Sequence, residues 1–161
     1  RRQTEGCAAT ITEQQRQKLE RQRDPVGRQR NRPPRAASRQ AHCPYSRFHV
    51  GAAILAGGRV FTGANVENAS YGLTICAERT AAFAAVLAGA VRFEAVAVTC
   101  PDAPAGSPTS AMMPCGACRQ VLAEFAQADT PVLVDRVGQF TLAELLPLAF
   151  RLVREDSAQE S

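Results

Sequence analysis

Residues Val50–Thr99 read VGAAILAGGRVFTGANVENASYGLTICAERTAAFAAVLAGAVRFEAVAVT, and their order decides the fold. Val50–Ala56 is a run of small apolar residues, and Gly57-Gly58 after it is a tight-hairpin signal. Arg59–Val66 is the returning strand. Ile75–Ala88 is alanine-rich and helical, with Gly89 where a terminating glycine belongs. Phe93–Thr99 follows as a buried strand. Further on, a Pro/Gly/Ser loop fills 101–114, Gly116–Ala128 reads as a second helix and Pro131–Val134 as a strand. Thr141-Leu142-Ala143-Glu144 is a capping box that opens a short helix, and Pro147 limits it. A hairpin followed by alternating helix and strand specifies an α/β class, with helices covering a mixed sheet of about five strands.

The two helices begin at chemically loaded motifs, Cys76-Ala77-Glu78 and Pro114-Cys115-Gly116-Ala117-Cys118. Cys115 and Cys118 are three apart, so one helical turn aims both at a single ion. Cys76, Cys115 and Cys118 together offer three thiolates to one Zn²⁺. A catalytic zinc takes three protein ligands and keeps one position open, whereas a structural zinc takes four. Cys100 is the obvious fourth candidate but ends a strand outside any ligand spacing; His42 and His49 stay open as ligands. Glu78, two residues from a ligand, can face the open position and carry protons as a general acid and base. Three thiolates and one Zn²⁺ sum to −1, so the site needs positive charge. The two helix N-termini supply part, each worth about 0.3–1 kcal/mol when exposed. Arg79 is the nearest cation for the rest.

The net charge of +4 comes from one end of the chain. Residues 1–40 hold 11 basic and 4 acidic side chains, and residues 41–161 hold 8 and 11. Ile11–Arg23 could form a polar helix, but Pro25, Gly27, Pro33 and Pro34 interrupt anything longer. Residues 1–40 are therefore expected to be a flexible or poorly packed basic leader, 41–155 the folded domain and 156–161 a flexible tail. Such arginine runs are more often solvated than bound to nucleic acid. With one serine and four acids, the leader is a poor transit peptide. No apolar run approaches the length of a membrane span and no signal peptide opens the chain, so a cytoplasmic enzyme with reduced cysteines is expected.

The two motifs resemble the zinc-dependent nucleobase deaminases, whose signature is [HC]-x-E followed by P-C-x-x-C. Pro44-Tyr45-Ser46-Arg47-Phe48-His49-Val50-Gly51-Ala52-Ala53, Asn65-Val66-Glu67-Asn68-Ala69-Ser70-Tyr71, Thr74–Thr80, Pro114–Gln120 and Leu145–Phe150 narrow this to the small homotetrameric cytidine deaminases. The resemblance covers about residues 41–150. It implies a three-layer sandwich, a zinc ion, a small-molecule nucleoside substrate, a homotetramer, and the salvage reaction converting cytidine or deoxycytidine to uridine or deoxyuridine with loss of ammonia. It also implies that Glu78 protonates N3 of the base, that the backbone near Ala77 contacts the base and that Phe48 packs on it. Asn65 and Glu67, two apart on a strand and so on one face, carry an amide and a carboxylate suited to a sugar hydroxyl. By the same resemblance Ala69 and Tyr71 reach a neighbouring subunit's site, with Phe150 nearby. A deaminase for a modified cytosine nucleoside and a zinc-stabilised nucleic-acid-binding module are the alternatives; Glu78 argues against the second. Residues 21–40 depart from the family's regular first helix, and Met113 stands where serine is common.

Overall fold

The computed structural model describes residues 32–152. The expected leader as far as residue 31, with its helix at Ile11–Arg23, and the tail 156–161 lie outside the described residues. Five strands form one mixed sheet in the order β2-β1-β3-β4-β5: β1 (Gly51–Ala56), β2 (Arg59–Ala64), β3 (Ala95–Thr99), β4 (Pro131–Val134) and β5 (Gly138–Thr141). Strand β1 is antiparallel to both β2 and β3, β3 and β4 are parallel, and β5 returns antiparallel to β4. The hairpin turns at Gly57 and Gly58, both at positive φ (56° and 69°), as the sequence predicts. The returning strand stops at Ala64 rather than Val66; Val66 instead bridges to His42 and Ile75. The fifth strand was not among those read from sequence, because Gly138–Thr141 has no buried alternation.

Strand registers sort the side chains onto two faces. Ala52, Ile54, Val96, Val98, Val132 and Val134 share one face through the pairs Ala52↔Val98, Ile54↔Val96, Val96↔Val132 and Val98↔Val134. All six belong to the main core. Helix α2 (Ala77–Leu87) covers this face, with α3 (Gly116–Phe125) packed beside it. Gly89 caps α2 as expected: its φ is 79°, its N–H donates to Val86 O (2.9 Å) and that of Ala90 to Ala85 O (2.9 Å), the paired bonds of a Schellman end. Helix α4 (Leu142–Leu145) opens on the predicted capping box of Thr141 and Glu144.

The opposite face carries the small residues Gly51, Ala53, Ala95, Ala97 and Thr99, with Leu55 and Leu133 half-buried among them. Helix α1 (Arg32–Ser38) lies on it. This corrects the expectation of a leader running to residue 40. Pro33 and Pro34 were read as breakers, but they occupy the first turn, where a helix N–H has no intrahelical acceptor and proline costs nothing. Pro34, Ala37 and Ser38 are buried. A Cβ on Gly51 would fall against the Pro34 carbonyl, so the helix seats backbone against strand. Arg35 donates from Nε (3.1 Å) and Nη2 (2.7 Å) to Asp135 Oδ2 beyond β4. Helices on both faces make the three layers that the resemblance implies.

Gly63 does for α2 what Gly51 does for α1. Its Cβ would collide with Ala77 O and Ala81 N, both backbone atoms of α2. Gly63→Ala must therefore push away the turn that starts at Cys76. Overpacking of this kind costs about 1–3 kcal/mol, and the variant is expected to melt several degrees lower and to release metal more readily. An unchanged melting temperature would show that α2 tolerates the shift.

Candidate metal and catalytic site

Helix starts place the sulfurs. Cys76 is the N-cap of α2 and Cys115 the N-cap of α3, where its Sγ accepts from the Cys118 N–H (3.4 Å). Both N-termini point their free N–H groups and positive dipole ends toward the same spot, which suits thiolates. The start of α2 is tied to β2 by Thr80, whose Oγ1 donates to Ala64 O (2.8 Å). The start of α3 is tied by Arg119: Nε donates to Pro114 O (2.7 Å) and Nη1 to Leu145 O (2.8 Å).

Cys76 Sγ lies 3.9 Å from Cys115 Sγ, which lies 3.3 Å from Cys118 Sγ, and all three fall within 4.8 Å of one another. Thiolates bound at about 2.3 Å to one tetrahedral ion stand about 3.8 Å apart. The donor set and its spacing therefore fit zinc. Among the described residues no fourth His, Cys, Asp or Glu joins the cluster. Cys100, His42 and His49, the candidates left open by sequence, stay outside it. Three ligands leave a coordination position free, as chemistry rather than scaffolding requires.

The thiols are not equivalent. Hydrogen bonding from Cys118 and from Arg79 pulls Cys76 well below the ordinary thiol range against its burial. Cys118 is pushed up, because its proton is held against Cys76 and it is buried. Ligation removes such protons. Arg79 Nη2 donates to Thr74 O (2.9 Å) and approaches Cys76 Sγ at 3.8 Å. Its Nε is the one buried side-chain nitrogen or oxygen without a partner among the described residues, beside the sulfurs that carry the excess negative charge.

Glu78 is buried, 4% exposed, in the first turn of α2. Burial pushes its carboxyl up to about 7, with the Cys76 charge adding to the rise. Ala77 is fully buried, and its N–H belongs to the helix's unpaired first turn. Asn65 and Glu67 lie beyond the end of β2 and flank Val66, so they still share a side. Both already hold the segment before β1: Asn65 Oδ1 accepts from Val50 N (2.8 Å) and Nδ2 donates to Phe48 O (2.9 Å). Glu67 Oε2 accepts from Tyr45 N (2.9 Å) and Ser46 N (3.2 Å). Hydrogen bonds from Ser46 hold its carboxyl below the usual range. Phe48 packs half-buried on the core. Ala69 and Tyr71 sit on an exposed stretch, with Tyr71 edge-on to Tyr45. Phe150 is exposed, and its backbone is pinned by Gln120, which donates from Nε2 (2.8 Å) and accepts at Oε1 (3.1 Å).

Sequence reading gave no role to Arg119, Gln120, Asp102 or Asp135. The first two lie inside a recognised motif, so that signal was present. The last two act across the fold, where local sequence carries none.

A family model for the cytidine and deoxycytidylate deaminase zinc-binding region matches residues 32–134. A cytidine deaminase from Halalkalibacterium halodurans is 50% identical over 115 residues, 68% of this chain and 83% of that protein. One from Sporosarcina psychrophila is 48% identical over 119 residues, 71% of this chain and 83% of that protein. The crystal structure of cytidine deaminase from Burkholderia pseudomallei aligns with a TM-score of 0.68 and 41% identity, covering 78% of this chain and 99% of that one. The family match starts at the first residue of α1 and ends at the last of β4, taking in every segment that carries the sulfurs, and by it the chain belongs to the zinc-binding cytidine and deoxycytidylate deaminases.

Proposed function

We propose that the protein hydrolyses cytidine and deoxycytidine to uridine and deoxyuridine, releasing ammonia. The observation that carries this reading is Glu78: a buried carboxylate two residues from Cys76, outside the ligand cluster, for which a structural zinc site has no use. Zinc, held by Cys76, Cys115 and Cys118, supplies a Lewis acid that makes water nucleophilic near neutral pH. Glu78 takes a proton from the attacking water and delivers it to N3 of the base. Water oxygen bonds to C4. Glu78, deprotonated again, then takes the proton of the new C4 hydroxyl and passes it to the amino group; the C4–N4 bond breaks, the C4 carbonyl forms and ammonia leaves. Ala77 offers its first-turn N–H to the base, and Phe48 walls the ring.

Asn65 and Glu67 hold the Phe48 wall and keep capacity over. An amide retains a second N–H and a second lone pair after two bonds, and a carboxylate retains its other oxygen. That surplus suits a sugar hydroxyl, which favours a nucleoside over a free base. We assign the oligomer as a homotetramer: Tyr71 is 74% exposed and Phe150 71%, large apolar surfaces that a neighbouring subunit would cover. No helix among the described residues is long and apolar enough to cross a membrane. The site needs reduced thiols, which the cytoplasm maintains.

Arg79 is assigned to charge balance. A hydrogen bond to a charged group is worth about 1.5–3 kcal/mol, so Arg79→Gln is expected to weaken zinc binding about ten- to a hundredfold without abolishing it. Chelator competition measures this; wild-type retention would remove the role. The function itself is tested by following ammonia release from cytidine, deoxycytidine, cytosine and CMP, with zinc content measured in parallel. Both nucleosides should turn over. Turnover of none, in protein holding one zinc per chain, would overturn the proposal.

A further inference from the structure

Arg136 has the wrong backbone for its residue type. It sits in the β4–β5 turn, closed by Val137 N to Val134 O (3.0 Å), with φ at 65°. Negative φ at Asp135 followed by positive φ is the order of a type II turn, whose third residue is normally Gly or Asn. A larger side chain in the left-handed region costs about 1–2 kcal/mol. The side chain here offsets that cost. Arg136 Nη2 donates to Cys100 O (2.6 Å), Nη1 donates to Ala103 O (3.0 Å), and Nη2 meets Met112 Sδ at 4.0 Å.

Those three residues belong to one loop. Cys100 follows the end of β3, and Met112 stands two residues before the fully buried Pro114, which leads directly to Cys115. A single planar guanidinium thus gathers the loop's beginning and its end. It draws on backbone carbonyls and no carboxylate: the neighbouring Asp135 is taken by Arg35 and by Thr99 Oγ1 (2.8 Å). Two other side-chain contacts hold the loop: Cys100 Sγ meets Met112 O at 4.0 Å, a long sulfur contact, and the exposed Asp102, which accepts from His49 N (2.7 Å) and meets its Nδ1 (2.6 Å), reaches only the first part.

We propose that Arg136 is a positioning residue for the cysteine site: by locking the loop from Cys100 to Met112 it holds Cys115 at the distance from Cys76 that one metal ion requires. This rests on the zinc reading of the three sulfurs. Arg136 touches neither metal nor substrate and acts through Pro114 and Cys115.

Three variants of the full-length protein separate this role from an ordinary turn. Arg136→Gly removes the guanidinium while relieving the backbone. Arg136→Lys keeps the charge but not the fork that spans two carbonyls. Ile54→Val, in β1, is a control that lowers stability without touching the loop. Wild-type protein carrying about one zinc per chain checks the zinc reading first; if it carries none, that reading fails, independently of the variants. Arg136→Gly is then expected to lose zinc to a chelator about tenfold faster than wild type, with Arg136→Lys between. With Co²⁺ in place of zinc, the d–d bands of Arg136→Gly should shift, and those of Ile54→Val should not. Wild-type release and wild-type bands in Arg136→Gly would overturn the proposal. So would faster release matched by an Ile54→Val variant of equal melting temperature with unshifted bands in both.

Discussion

Glu78→Gln is expected to keep the fold and the zinc and to lose nearly all deamination, with kcat for cytidine lower by about 10²–10⁴. The amide has the volume of the carboxylate, so a side chain only 4% exposed is replaced without a cavity. Zinc content is unaffected because Glu78 is not one of the three clustered ligands. What disappears is the capacity to take a proton from water and give it back to N3 and then to the amino group. Affinity should change little, since an amide still hydrogen-bonds a nucleobase. Steady-state kinetics with metal analysis reads both quantities together. Turnover within a few-fold of wild type would take the proton-carrier role away from Glu78.

Cys118→Ala is expected to leave the protein without zinc after dialysis and to slow deamination by about 10³-fold or more. Cys118 is fully buried, 3.3 Å from Cys115 Sγ, and in the first turn of α3. Two thiolates cannot replace three, and no other described ligand lies within the cluster to substitute. Cys100→Ala is the paired measurement. Cys100 is also buried, and burial pushes its thiol up to about 11, which suits a neutral core side chain. That variant should keep its zinc. Metal retained in Cys118→Ala and lost in Cys100→Ala would move the site.

What the sequence revealed was local. Gly57-Gly58, Gly89, the Thr141–Glu144 box and the two cysteine motifs each declare themselves within a few residues, and each has the predicted geometry. What it concealed depended on partners far along the chain. Pro33-Pro34 looks like a helix breaker, and nothing local says that α1 (Arg32–Ser38) carries both. Asn65 and Glu67 were read as facing substrate; the backbone segment Tyr45–Val50 that they also hold comes from 15 to 22 residues away. Arg136 looks like any turn arginine until its φ and its two carbonyl partners are known. Gly63 reads as a weak strand residue, although the helix bearing Cys76 rests on it.

The two faces of the sheet are filled differently: Ile54 and four valines join Ala52 under α2, whereas Gly51, Ala53, Ala95 and Ala97 line the α1 face and its larger Leu55 and Leu133 stay half-buried. A helix seated on glycine and alanine excludes little apolar area from water, and hydrophobic stabilisation scales with that area. Helix α1 therefore relies on backbone contact and on Arg35, whose side chain is 57% exposed where it meets Asp135. Ionic strength weakens exposed pairs of this kind. Helix α1 is therefore expected to open as a separate unit, its amide hydrogens exchanging ahead of those in α2. Salt would widen that gap, while the half of the molecule that holds the metal stays closed.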